Sequence, residues 1–288
     1  MKIKKSIRMS TGTVKAVEKN IDKTVKFGSN VSINCEKVTI GKFATIGNNV
    51  KIQCKELEIG DNLFMANGVE IGRGGCTGHN STVKIGNNVG IFENTIINPS
   101  ESVEIGDNCG IGADVMIWTH GAWLDITQGF PSDFGPVKIG KNVWLPARSI
   151  VLPNVTIGND VIIGINSIIN RSLPDGCFAA GSPCKVIKEN VYPKNISAKT
   201  LKEMALDIIT EWTKLISYKG IDDFSIQYKF GKIYLTYNEW KTIYHLREKT
   251  MEGDTNEVAE DLRDFLRRRG IKIYTNKLFR SIKPMWVK

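Results

Sequence analysis

Residues 137–169 read VKIGKNVWLPARSIVLPNVTIGNDVIIGINSII, and this stretch decides the fold. Ile139, Leu145, Val151, Ile157, Ile163 and Ile169 stand six apart, and two residues before each comes Val137, Val143, Ser149, Val155, Val161 or Ser167. An inward-facing pair at a spacing of two is the alternation of a short strand. A helix would carry residues six apart to different sides of its axis. Gly140, Gly158 and Gly164 directly follow the aliphatic residue and mark corners. Three such units close a coil of about 18 residues, whose aliphatic side chains stack on those of the next coil as a continuous core.

Upstream the same spacing continues through Phe27-Gly28, Ile33, Ile40-Gly41, Ile46-Gly47, Ile52, Ile59-Gly60, Ile71-Gly72, Ile85-Gly86, Ile91, Ile97, Ile105-Gly106, Ile111-Gly112 and Ile117. Two segments interrupt it. One is RGGCTGHN, from Arg73 to Asn80; the other, from Trp118 to Pro136, is WTHGAWLDITQGFPSDFGP. A loop as long as the second costs ordering entropy that a plain corner avoids, and loops on rigid scaffolds often carry chemistry. A lid or a subunit contact is its alternative use.

The organisation predicted is a basic, polar N-terminal extension over 1–20, a coil domain over 21–189 with the insertion at 118–136, and an α+β domain over 198–288. In the last, Leu201, Met204, Ala205, Ile208, Trp212 and Ile216 keep helical spacing across Ala198 to Ile216. Phe224–Phe230 and Lys232–Tyr237 around Gly231 read as a hairpin, with Thr242–Glu248 as a third strand. Asp254 and Glu257 open a second helix that Gly270 stops, and Ile271–Tyr274 gives another strand signal. No chemistry is legible in this domain.

The chain has 288 residues, 41% of them hydrophobic, enough for a large domain with a smaller one attached. Its formal charge of +9 comes without zinc-finger spacing or a basic helical region, so no nucleic-acid partner is predicted. A phosphate-bearing cofactor or an anionic substrate would use the same charge. The six cysteines are widely spread without close metal-ligand pairs, which suits buried thiols in a reducing compartment. The start MKIKKSIRMSTG has no apolar segment behind it, and no apolar run approaches about 18 residues. A cytoplasmic protein without a membrane span is expected.

The string IWTH at Ile117 to His120, the NVW unit at Asn142 to Trp144 and the close AAGSPCKVI from Ala179 to Ile187 occur in order with the repeat. Together they make the chain resemble the hexapeptide-repeat acyltransferases, and within them the galactoside and maltose O-acetyltransferases. The likeness is strong over roughly residues 81 to 188. It implies a mainly β fold, a left-handed parallel β-helix, followed by the small α+β domain. Further implications are a homotrimer with sites between subunits, acetyl-CoA as co-substrate, no catalytic metal, and a carbohydrate acceptor.

By that resemblance His120 is the catalytic histidine. Imidazole accepts a hydroxyl proton near neutral pH and returns it to the departing thiolate, with direct attack on the thioester and no acyl-enzyme. Trp144 and Ala147 would line the acyl passage, Ile165 and Asn170 would contact the cofactor, and Arg171, Lys185 and Lys188 would reach its phosphates. Lysine keeps the charge but loses the guanidinium fork. The galactoside enzyme's acceptor-binding asparagine and aspartate correspond to Gly90 and Asn98, so a carboxylate is missing. Glu93, Asn94 and Asn98 are therefore the candidates for an acceptor, and Asp133, ahead of Asp125, for orienting the histidine or the acceptor. His79 and His245 read as turn and strand residues, and the three histidines lack metal-ligand spacing. Other readings are an N-acetyltransferase of a nucleotide sugar, a zinc hydrolyase on the same fold, and a noncatalytic assembly module.

Overall fold

The computed structural model describes residues 5–9, 12–284 and 286–287. It separates into two compact units, Met1–Lys194 and Asn195–Lys288. Residues 1–4, 10 and 11 of the expected N-terminal extension lie outside the described residues.

The first unit is a β-solenoid in which each coil runs through three short strands, one on each face. Face one is a parallel ladder from Glu18–Ile21 to Thr156–Ile157. Face two runs from Lys26–Phe27 to Phe178–Ala180 and ends with the antiparallel strand Lys185–Lys188. Face three runs from Gly12–Ala16 to Ile168–Ile169, with Lys5–Met9 antiparallel at its first edge. Register places aliphatic on aliphatic: Ile85, Ile105, Ile139 and Ile157 on face one, Ile91, Ile111 and Leu145 on face two, Ile97, Ile117, Val151 and Ile169 on face three. All are buried in one core, which begins at Val14 and Ala16. Full burial of each large aliphatic contributes about 1.5–3 kcal/mol before conformational entropy is charged.

Val151 pairs with Ile169, eighteen positions on, whereas Ile33 pairs with Ile52, nineteen on, because the early coils carry one extra corner residue. Ile71 meets Ile97 and Ile117 meets Val151 across longer gaps. Both long insertions leave the stack at the corner between faces three and one, so neither disturbs the ladders.

The corners explain two features of the repeat. A Cβ on Gly140 would stand 2.7 Å from the carbonyl carbon of Gly158, so the glycine there answers to the next coil's backbone rather than to an unusual φ. The residue before each inward Val or Ser is the left-handed one: Asn142, Arg148, Asn154, Asp160 and Asn166 have φ of 56° to 64°. Asn and Asp tolerate that region best, and Arg148 is the exception.

In the second unit, α1 (Ala198–Tyr218) is capped by Ser197 and buries Ala205, Ile208, Trp212 and Ile216. A four-stranded antiparallel meander follows: Phe224–Lys229, Lys232–Tyr237, Trp240–His245 and Thr250–Gly253. Then comes α2 (Glu257–Arg268), capped by Asn256 rather than opened at Asp254. The third strand ends at His245, short of the expected Glu248, and the polar fourth strand carried no hydrophobic signal. Ile271–Tyr274 is not a strand. The Arg263 guanidinium, buried beneath it, takes the carbonyls of Ile273 (3.0 Å), Lys277 (3.0 Å) and Leu278 (2.8 Å), which fixes the segment as an irregular strap.

Candidate active site

The corner between faces three and one is where the two insertions meet. On face three, Ile96–Asn98 and Met116–Trp118 pair in register, Asn98 beside Trp118. Thr119 then turns inward: its hydroxyl donates to the Asn98 carbonyl (2.8 Å) and accepts from the Glu101 amide (2.9 Å). From that anchor the chain leaves as a small hairpin in which His120 opposes Phe134 and Gly121 opposes Asp133. The Asp125 carboxylate accepts from the Thr127 hydroxyl (2.7 Å) and amide (2.9 Å), which holds it below the usual carboxylate range and caps the short turn Ile126–Gln128. On the return leg Gly135 N–H donates to the Thr119 carbonyl (3.0 Å), and the Asn154 carboxamide reaches the Phe134 carbonyl (3.3 Å). The coils before and after thus both hold the root of the hairpin.

His120 is half-buried. Its ring stacks on Phe134 at 5.7 Å and 24°, and meets Trp118 edge-on at 6.0 Å. Nδ1 lies 3.0 Å from Ser100 Oγ. Ser100 in turn reaches Asn98 Oδ1 at 3.2 Å, and Asn98 Nδ2 donates to the carbonyls of Gly72 (3.0 Å) and Gly74 (3.3 Å). The glycine-rich break therefore packs beneath the histidine. Gly75 sits at φ +85°, and a Cβ there would stand 2.8 Å from Ser100 Oγ and 4.0 Å from His120 Cε1. Sequence reading missed Ser100 and Gly75; their one signal was that both breaks fall after a face-three strand.

Asn98, an acceptor-contact candidate from sequence, is 1% exposed with its carboxamide bonded inward, so it supports the site instead of facing solvent. Glu93 and Asn94 are exposed on a different corner, between faces two and three. Asn94 is a left-handed corner residue whose amide reaches Asp114 (3.4 Å). Asp133 lies across from Gly121 and is exposed; the imidazole bonds to Ser100, not to Asp133 or Asp125. The exposed His79 gives its carbonyl to Lys55 (3.4 Å). His245 pairs with Glu252 across two neighbouring strands.

The residues expected at the cofactor fall into separate sets. Ala147 and Ile165 occupy the corner between faces two and three, while Asn170 and Arg171 occupy the corner that also bears His120, so the two pairs flank face three. The Ala147 and Ile165 amides donate to no backbone carbonyl among the described residues. Arg171, Lys185 and Lys188 are exposed and make no ion pair among the described residues. Free N–H donors and uncommitted cations are the groups that a phosphate-bearing thioester needs. Trp144 stands on face two, its ring over Gly110 and 6.5 Å from Phe92, so in one chain it does not adjoin His120.

All six cysteines are buried. Burial pushes the Cys76, Cys177 and Cys184 thiols up, which keeps them protonated and poor nucleophiles. Among the described residues no three His, Cys, Asp or Glu side chains converge on a metal position, and no helix is long and apolar enough to cross a membrane.

Residues 136–171 match the family model described as bacterial transferase hexapeptide (six repeats). The solenoid is a hexapeptide-repeat fold. By sequence it is related to the galactoside O-acetyltransferase of Escherichia coli (strain K12), 34% identical over 113 residues, or 38% of this chain and 56% of the relative. It is also similar to a Saccharomyces cerevisiae protein, YJL218W, provisionally named an acetyltransferase, at 37% identity over 38% of this chain and 58% of that protein. The chain thus spans less than two thirds of these curated relatives. Among solved structures, a galactoside acetyltransferase in complex with coenzyme A is 28% identical, covering 49% of this chain and 71% of that one with a TM-score of 0.40.

Proposed function

We propose that this protein transfers an acetyl group from acetyl-CoA to a hydroxyl of a sugar or polysaccharide precursor. The observation that carries the proposal is His120, held at the root of the projecting hairpin by Phe134 and Ser100 with its Nδ1 edge engaged. The relatives' names, one a galactoside O-acetyltransferase, supply the reaction class and the carbohydrate acceptor.

Acetyl-CoA, when bound, supplies a thioester carbonyl open to nucleophilic attack. The chain's own contribution is orientation and proton transfer. His120 takes the acceptor hydroxyl's proton as the oxygen attacks, then gives it to the departing sulfur. The Ala147 and Ile165 amides fit as donors to carbonyl oxygens of the co-substrate, while Arg171, Lys185 and Lys188, with Asn170 nearby, fit its phosphate-bearing end. Trp144 lies on face two, away from His120 in the same chain. A homotrimer in which face two of one subunit meets the hairpin of the next would bring it to the acyl group and exclude water. Glu93, Asn94 and Asp133 remain the exposed acceptor candidates.

The test is a calorimetric titration of the full chain with acetyl-CoA, followed by transfer assays on a panel of sugar hydroxyls and nucleotide-sugar amines. Saturable binding near one per chain is expected, and no binding by folded protein would sink the proposal. His120→Ala should lower turnover by about 10²- to 10⁴-fold while binding persists. Mixed, reassembled oligomers of His120→Ala and Trp144→Ala chains should regain part of the activity that each lacks alone; no regain would place the whole site in one subunit.

A further inference from the structure

We infer that Ser100 and Asn98 form a one-way hydrogen-bond relay, anchored on the Gly72 and Gly74 carbonyls, that fixes His120 as the Nδ1–H tautomer and leaves Nε2 as the basic nitrogen. The inference deepens the proposed transfer at the same site. Ser100 and Asn98 are positioning residues, since both act through the imidazole.

The direction follows from which atoms can donate. The carbonyls of Gly72 and Gly74 only accept, so the Asn98 group facing them, at 3.0 and 3.3 Å, is the NH₂. Its Oδ1 therefore points at Ser100 Oγ, 3.2 Å away, and at the Cys76 thiol, 3.5 Å away. A thiol is a weak donor. Were the Ser100 hydroxyl to donate to His120, its oxygen would face Asn98 Oδ1 lone pair to lone pair in a buried corner. Donation from Ser100 to Asn98 removes that repulsion and leaves the Ser100 oxygen to accept from His120 Nδ1–H at 3.0 Å. Each polar atom of the relay, from the Gly72 and Gly74 carbonyls to His120 Nδ1, then has a partner.

The same arrangement serves both states of the ring. When Nε2 gains a proton, Nδ1–H still donates to Ser100, and no hydroxyl has to turn. Burial protects the relay from competition by water, with Asn98 1% and Ser100 7% exposed. Gly75 guards its geometry, because a Cβ there would press on Ser100 Oγ. Three successive coils contribute: the 73–80 break, the corner after Ile96–Asn98, and the hairpin.

Long-range ¹H–¹⁵N correlation on uniformly ¹⁵N-labelled full chain reads the tautomer directly. With three histidines in the sequence, His79→Gln and His245→Gln assign the signals. With its ring neutral, His120 should show the Nδ1–H pattern, and Ser100→Ala should shift it toward Nε2–H. An Nε2–H pattern in the unaltered chain, or no shift in the variant, overturns the relay. In the transfer assay Ser100→Ala should lower kcat by at least about tenfold, since a wrong tautomer removes the base, with KM for acetyl-CoA unmoved. Ser100→Thr, which keeps the hydroxyl, should recover much of that loss. An equal fall in both variants would mean packing alone. The spectroscopic arm needs neither substrate, so failure to find transfer would count against the proposed function without touching the relay.

Discussion

The two units bury polar groups for opposite purposes. In the solenoid, whose core is aliphatic on all three faces, Ser81, Asn98, Ser100 and Thr119 are buried together around the corner that holds His120. In the second unit the buried polar residues, Thr242 apart, are charged. Asp261 accepts from Trp212 Nε1 (3.0 Å), Ser281 Oγ (3.2 Å) and the Ile282 amide (2.7 Å) and pairs with Lys219, while Arg263 holds the strap beyond α2. Stacked coils bury enough apolar surface by repetition to leave polar burial for a site. A small α+β domain with a C-terminal segment lacking regular structure has used it to tie that segment down.

The largest effect that would break this contrast is in the second unit. Asp261→Ala leaves the Lys219 ammonium, whose side chain is 4% exposed, buried without its partner, and orphans three donors. A loss of about 3–5 kcal/mol is expected for that unit. Hydrogen exchange read peptide by peptide would show it as faster exchange across α1 and α2, with solenoid peptides as the internal reference. Unchanged exchange in both helices would mean that the charge network does not hold the unit together.

A smaller effect is expected at the site corner. Thr119→Val keeps the shape but orphans the Glu101 amide and the Asn98 carbonyl, at a cost of about 1–3 kcal/mol. Because a solenoid's stability is a sum of neighbouring coils, exchange should quicken in peptides covering 98–101 and 119–135 and nowhere else in the first unit. A unit-wide change would make the corner part of the fold's foundation and weaken the contrast.

The coil was legible in the sequence because Ile139, Leu145 and Val151 repeat a local geometry, and local geometry is what spacing encodes. The hairpin at 118–136 was legible as an interruption, and its histidine by resemblance. That the Asn98 carboxamide bonds inward was not legible, because its position in the repeat does not say that the Gly72 and Gly74 carbonyls lie beneath it. Ser100, Gly75 and His120 come from three different coils, and their convergence depends on both insertions leaving at one corner. In the second unit, Ile271–Tyr274 has strand composition but no strand to pair with, since Arg263 has taken the carbonyl at Ile273.

The finest discrimination lies inside the solenoid repeat. Ser149 and Ser167 hold the same inward position one coil apart, and both are fully buried. Ser167 Oγ donates to the Gly164 carbonyl (2.7 Å) and accepts from the Gly181 amide (3.0 Å), tying the last coil to its closing turn. Ser149 Oγ has no partner among the described residues. Replacing each by alanine removes the same atom from the same kind of place, so the hydrogen bonds alone should set the sign. Ser167→Ala should cost about 1–2 kcal/mol, and Ser149→Ala should be neutral or stabilise by up to about 1 kcal/mol, because it deletes a desolvated hydroxyl that nothing compensates. Urea midpoints for the two variants, measured at unchanged slope, should fall on opposite sides of the unaltered chain or leave Ser149→Ala on it. If Ser149→Ala proves the more damaging, the inward positions are ruled by packing volume, and partnered polar burial in this solenoid loses its energetic meaning.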